Sequence, residues 1–322
     1  MDDQSLNALA TIVAGDEIVG LNAGAGITLQ FVFLALLSNG GVLAHIGDST
    51  KEGRNEVSLD RLLLPSGKAS SLTLADFSYL AYPKDELRFA HATFLMARAT
   101  EFLLFHEIGH IVRCHLLYLR SRGLLIADEA SGALTMLEWE GVTHSSQEVR
   151  RILESDADSV AANMQLEGIL QQTLEQHTQF AFGPGWQIAK RRLTWEDIAY
   201  SWLIAVGVLF QLFASTDKTP IVEPRRTHPH PDLRFFVLAN FAAHSWSRVM
   251  SVSTYGTIAT RARNDLWTTW KALRLPWPEA RESATYQKDF RRAHSAFQQG
   301  FQKLAESLND LAQRRIGEPG AT

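Results

Sequence analysis

The chain has 322 residues, 46% hydrophobic and 20% charged, which suits one large or two modest globular domains and argues against a disordered or fibrous chain. Its net charge of −4, with no dense Lys/Arg stripe carrying interleaved aromatics, gives no sign of nucleic acid as a partner. The single cysteine, Cys114, excludes an intramolecular disulfide and fits a reducing cytoplasm, and the acidic start Met1-Asp2-Asp3 argues against a secretory signal.

In chain order, Leu6 to Val13 reads as a short helix and Glu17 to Leu21 as a strand. Asn22-Ala23-Gly24-Ala25-Gly26 reads as a turn or a tight helix entry, and a loop is favoured over a phosphate cradle because the dinucleotide-binding spacing of three glycines is absent: Leu29 stands where the third would be. Ile27 to Leu37 is an apolar helix too short to span a bilayer, and Val42 to Ile46 reads as a strand. After a polar, turn-rich stretch, Asp85 is a plausible N-cap for a long element from Glu86 to Arg122. Phe89, Phe94, Leu95, Phe102, Phe105, Ile108, Val112 and Leu116 give it helical periodicity, as one helix or as two meeting near Ala99-Thr100.

Leu124 to His144 reads as short extended pieces around a turn at Ala130 to Ala133. Ser145-Ser146-Gln147-Glu148 opens a helix that runs to about His177. Thr194, followed by first-turn acids, caps an apolar helix ending near Ala214. Ile198 to Thr216 is long enough to cross a membrane but carries Ser201, Gln211 and Ser215. A buried core helix is the expectation and a membrane helix the alternative. Lys218 to Pro231 is a proline-bearing loop, and Asp232 to His244, Trp267 to Leu273 and Ser283 to Arg314 are helical. The fold expected is α+β, mainly α. Residues 1–85 form an N-terminal α/β portion packed on a core of residues 86–250. Residues 251–322 form a C-terminal helical extension, the whole being one continuous unit.

The chemistry starts at His106-Glu107-Ile108-Gly109-His110. Residues four apart on a helix stand one turn apart on one face, so His106 and His110 can point two imidazoles at one metal ion. Glu107, about 100° round the helix, can reach a water on that metal. This is the His-Glu-x-x-His pattern of zinc peptidase helices. It also arises by chance on core helices, and two histidines do not complete a zinc site, which needs a third protein ligand. Glu154, 44 residues beyond His110, is the best candidate, on a helix that can return antiparallel beside the first. Asp158, one turn further on the same face, is placed to accept a proton from a ligating histidine ring. Asp156 lies about 200° round that helix from Glu154 and cannot easily share its face. His115, five residues after His110, points about 140° from it and is no ligand of the same metal. Cys114 reads as a small buried residue, with a zinc contact as the alternative.

His106-Glu107-x-x-His110, then Glu154-x-x-x-Asp158 with Ala157 before the aspartate, then Thr227-His228-Pro229 followed by Arg234, resembles the gluzincin zinc metallopeptidases. It is most similar to the HtpX and CAAX-prenyl-protease group and to the Lit-type phage-exclusion peptidases. The resemblance covers about residues 100–240 and implies a zincin-like fold, with the His-Glu-x-x-His helix packed on a second helix carrying Glu-x-x-x-Asp. It implies a Zn2+ cofactor held by His106, His110 and Glu154, with Glu107 as general base and acid and Asp158 orienting a zinc-binding histidine. It further implies that His228 contacts the oxyanion or substrate, with His230 as an alternative, and that Arg234 braces that loop or the substrate.

A zinc-dependent endopeptidase in the cytoplasm follows, acting on a protein or peptide substrate, with phage defence as the implied setting. Membrane members of the group have several spanning helices, whereas this chain has at most one candidate. The rivals are a catalytically silent scaffold that keeps the fold and a membrane-tethered quality-control peptidase.

Overall fold

The computed structural model describes residues 8–13, 15–53, 82–121, 126–127, 133–135, 144–182, 193–215 and 231–272, with isolated helical positions between 288 and 308. Over these residues the protein is mainly helical, with a small antiparallel sheet. The stretch expected as a first helix is instead strand β1 (Ala8–Val13), paired with β2 (Asp16–Leu21) in register Ala8 to Leu21. Gly15, at φ 96°, supplies the left-handed backbone that so tight a connection requires. Two short strands, β3 (Ile126–Ala127) and β4 (Ala133–Thr135), complete a sheet of order β2-β1-β4-β3, and the turn expected between them lies mostly outside the described residues.

Helix α1 (Ala23–Leu37) begins inside the glycine-bearing stretch, which is a tight helix entry rather than the favoured loop, and is apolar on nearly every side, so it is buried in the core. No strand follows it at Val42 to Ile46. The backbone there turns around Arg88, which reaches in from helix α2 (Glu86–Val112) with no exposed side-chain surface. Arg88 donates to the carbonyls of Leu37, Asn39, Val42, Leu43 and Ile46 at 2.7–3.1 Å. Carbonyls claimed by a guanidinium are not free to form a strand ladder. Asp85 caps α2 as expected, accepting from the amides of Leu87 and Arg88 at 3.1 and 3.2 Å.

Helix α2 is continuous through Ala99-Thr100. It ends instead at Arg113, and Cys114 takes a left-handed φ of 58° before helix α3 (His115–Ser121). Leu116, Tyr118 and Leu119 of α3 pack with Ile152 and Leu153 of helix α4 (His144–Gln171) and with Ile12 of β1. Helix α4 stops six residues short of the expected His177. There Thr173 and Gln176 satisfy each other's backbone amides at 3.2 and 2.7 Å, a reciprocal cap that starts helix α5 (Leu174–Phe182). Thr194 and Asp197 form the same device at the start of helix α6 (Trp195–Ser215).

Helix α6 is the one described helix long and apolar enough to cross a membrane, and 83% of that window is buried inside the protein. It packs against α2, helix α7 (Pro231–Trp246) and helix α8 (Val252–Ala272). Only the end of α8 is expected from the sequence. Its small residues Gly256, Ala259 and Thr260 blur a stripe of Tyr255, Ile258, Ala262 and Leu266 that faces the core. The helix expected over Ser283 to Arg314 falls largely outside the described residues. One hydrophobic cluster runs through α1, α2, α4, α6, α7 and α8, so residues expected in three portions of the chain share a core.

The helices α2 and α4 pack antiparallel. Gln165 bonds the carbonyl of Arg98 and the carboxylate of Glu101 at one end, and His106 meets Asp158 near the other. A side chain at Gly109 would place its Cβ 3.1 Å from the backbone of Ala157 and 3.3 Å from Val160. Glycine at this position therefore lets the two helices approach closely beside the histidines.

Candidate metal centre

His106 and His110 project from the last two turns of α2 toward Glu154 on α4. His106 Nε2 lies 3.1 Å from His110 Nε2 and 3.3 Å from Glu154 Oε2, while His110 Nε2 lies 3.6 Å from Glu154 Oε1. All three side chains are buried, and among the described residues they form the one group of three such side chains whose donor atoms, within 4.8 Å of one another, could hold a metal ion. An ion bonded tetrahedrally to imidazole nitrogen and carboxylate oxygen at about 2.0–2.1 Å sets its ligand atoms about 3.3–3.4 Å apart. The spacing found here matches that figure within a few tenths of an ångström. The residues present therefore fit a tetrahedral cation.

The surroundings of His106 reinforce this fit. Its Nδ1 lies 2.9 Å from Asp158 Oδ1, and a carboxylate only accepts, so Nδ1 carries the hydrogen. When neutral, the ring would keep that hydrogen and leave Nε2 bare to bind a cation. Asp158 is in turn held by Arg234 of α7, which donates through Nε at 2.8 Å and Nη2 at 2.7 Å. The Arg234 guanidinium lies 4.2 Å from the centroid of the Phe210 ring on α6, so it ties α4, α6 and α7 together.

Protonation follows from these contacts. Burial opposes a charged ring at His106, but its hydrogen bonds to Asp158 and Glu154 outweigh that and push the ring up to about 10 in the metal-free protein. Burial pushes His110 well below its ordinary value, despite the attraction of Glu154. Burial alone would raise Asp158, yet the Arg234 charge and the His106 contact hold its carboxyl below the usual range.

Glu107 follows His106 on α2 and is only 9% exposed. Arg234 lies within electrostatic reach of both Glu107 and Glu154. Arg234 itself is 7% exposed and pairs with Asp158, so it stands behind the histidine's carboxylate partner. His228 and His230 lie outside the described residues. The Cys114 side chain is buried and does not belong to the donor group.

Spacing on regular helices left His115 and Asp156 outside the ligand set, as found, but missed the contacts that they and Arg113 make. His115 Nδ1 lies 3.0 Å from His110 Nδ1, and His115 Nε2 lies 2.9 Å from Asp156 Oδ2. Arg113 donates from Nε to the same Asp156 oxygen at 2.8 Å. The 140° separation of His115 from His110 holds only for an unbroken helix, and the left-handed residue Cys114 breaks it. Asp156 keeps off the Glu154 face, as expected, and serves this neighbouring cluster instead. Burial holds the His115 ring below its ordinary value even with Asp156 beside it, which leaves the ring neutral. Compared with protein-family models, curated proteins and solved structures, the chain gives no significant match to any of them.

Proposed function

We propose that the protein is a zinc-dependent endopeptidase of the gluzincin type, with His106, His110 and Glu154 as metal ligands. The convergence of two imidazole Nε2 atoms and a carboxylate, buried and 3.1–3.6 Å apart, carries this reading. Two nitrogens and one oxygen suit zinc, and three protein ligands leave one position open, the pattern of catalytic rather than closed structural sites. The zincin-like identity of the fold rests on the same two antiparallel helices.

A zinc ion bound there supplies Lewis acidity, bringing the pKa of a water toward about 7 and polarising a carbonyl. Glu107, adjacent to the ligand His106, takes the proton from the attacking water and returns it to the leaving amine. Asp158 holds the His106 ring with its Nε2 lone pair toward the donor group, and Arg234 fixes Asp158 while balancing its buried charge. His228 is assigned to oxyanion or substrate contact by the sequence resemblance alone. That resemblance also points to a folded protein substrate and a cytoplasmic role in phage defence.

The test compares protein termini in cells expressing the wild type and Glu107→Gln. Glu107→Gln should retain zinc, and new termini should appear only with the wild type. Identical sets of termini, with both proteins folded and zinc-loaded, would contradict the assigned base and favour the silent scaffold.

A further inference from the structure

We propose that Asp156 and His115 act as a positioning pair that sets the tautomer of His110 and aims its Nε2 at the metal, and that the left-handed turn at Cys114 places them there. The proposal rests on the metal reading above and extends it to residues outside the three ligands. Hydrogen-bond direction fixes the order along the chain of contacts. Asp156 Oδ2, 2.9 Å from His115 Nε2, can only accept, so that nitrogen carries the hydrogen. A neutral imidazole has one hydrogen, so His115 Nδ1 is a bare acceptor. His110 Nδ1, 3.0 Å away, must then be the donor. With its hydrogen on Nδ1, His110 has a bare Nε2, and that atom is the one 3.1 Å from His106 Nε2 and 3.6 Å from Glu154.

A carboxylate on α4 thereby dictates, through one intervening imidazole, which nitrogen of His110 is free to bind a metal. Arg113, donating to Asp156 at 2.8 Å, holds the carboxylate in place. The ring planes of His110 and His115 stand 75° apart with centroids 5.0 Å apart, which suits a nitrogen-to-nitrogen hydrogen bond rather than stacking. His115 has no exposed surface and Asp156 is 4% exposed, so both contacts are largely shielded from water. The apolar side chains of α3, seated on Ile152 and Leu153, hold the turn in register with α4. Removing such an outer partner of a ligating histidine typically weakens metal binding about 10–100-fold.

The experiment uses the purified full chain and measures zinc affinity by competition with a chromophoric chelator. Circular dichroism checks that each variant is folded. His115→Leu deletes the acceptor and should weaken zinc binding about 10–100-fold. His115→Gln can still accept from His110 and donate to Asp156, so it should recover most of the loss. Asp156→Asn should fall between the two, because an amide no longer dictates the direction of the bond. Nitrogen-15 spectra of the zinc-loaded wild type should show His110 protonated at Nδ1 and metal-bound at Nε2. A folded His115→Leu protein whose zinc affinity stays within about twofold of wild type overturns the positioning role and leaves the metal reading intact. A wild type that binds no zinc overturns both.

Discussion

The two ligating histidines stand one turn apart on the same helix, yet they are supported differently. His106 donates directly to a carboxylate, Asp158, whose charge is met by two hydrogen bonds from the buried Arg234. His110 meets its carboxylate, Asp156, only through the neutral ring of His115, and Arg113, which anchors that carboxylate, keeps 28% of its side chain exposed. One side is short, charged and sealed, whereas the other is longer and ends near solvent. Ligand identity alone would call these positions equivalent. The difference lies in what backs each ring, and it makes the His106 side the more rigid and the His110 side the more dependent on local backbone geometry.

The largest expected effect separates the two anchoring arginines. Arg234→Met leaves Asp158 buried without its charge partner, and loss of one member of a buried pair costs about 3–5 kcal/mol. Arg113→Met removes a partly exposed partner from a carboxylate that keeps His115, and should cost about 1 kcal/mol. Urea unfolding of the metal-free proteins measures both. Equal losses would erase the distinction between the two sides.

Next comes the turn at Cys114. A left-handed non-glycine residue costs about 1–3 kcal/mol, and a β-branched side chain makes that worse. Cys114→Val should therefore lower thermal stability and weaken zinc binding through displacement of His115. Cys114→Gly accepts the same φ and should leave zinc affinity unchanged. If valine is tolerated with full zinc affinity, the turn does not place His115.

The smallest effect concerns pH and uses a ring remote from both sides. His177 is buried with its Nε2–H donating to the Ile169 carbonyl at 2.8 Å, and burial holds it below its ordinary value of 6.5. As pH falls through about 6.5 the unfolded chain takes up a proton there that the folded chain refuses, so folding weakens. His106 works in the opposite sense. Its ring, raised to about 10, stabilises the metal-free protein below 6.5, and that contribution is lost as pH rises toward 10. His177→Gln should flatten the decline in stability between about pH 7 and about pH 5.5, and an unchanged slope would show that His177 contributes nothing to it.

The same contrast marks what the sequence makes legible. His106, His110, Glu154 and Asp158 could be read from spacing because each sits inside a regular helix, where a fixed angle per residue turns sequence distance into direction. Asp85 and Thr194 were legible as caps for a similar local reason. The His115–Asp156 cluster was not, because one left-handed residue reorients everything after it and cysteine does not announce that turn as glycine would. Val42 to Ile46 misled because its carbonyls are taken by Arg88, a partner more than 40 residues away. The segment before Val13 misled because its extended form depends on pairing with β2 and β4 rather than on its own periodicity. The stop of α4 before His177 rests on a cap between Thr173 and Gln176 that competes with continued helix.

His106, His110 and Glu154 are proposed to hold one zinc ion. X-ray absorption at the zinc edge of the purified, zinc-loaded protein tests this assignment most directly. One zinc per chain is expected, with two imidazole nitrogens and carboxylate oxygen at about 2.0–2.2 Å, and that signal should be lost in both His106→Ala and Glu154→Ala. Zinc content unchanged in both variants, or a sulfur neighbour at about 2.3 Å that would place Cys114 on the metal, would contradict it.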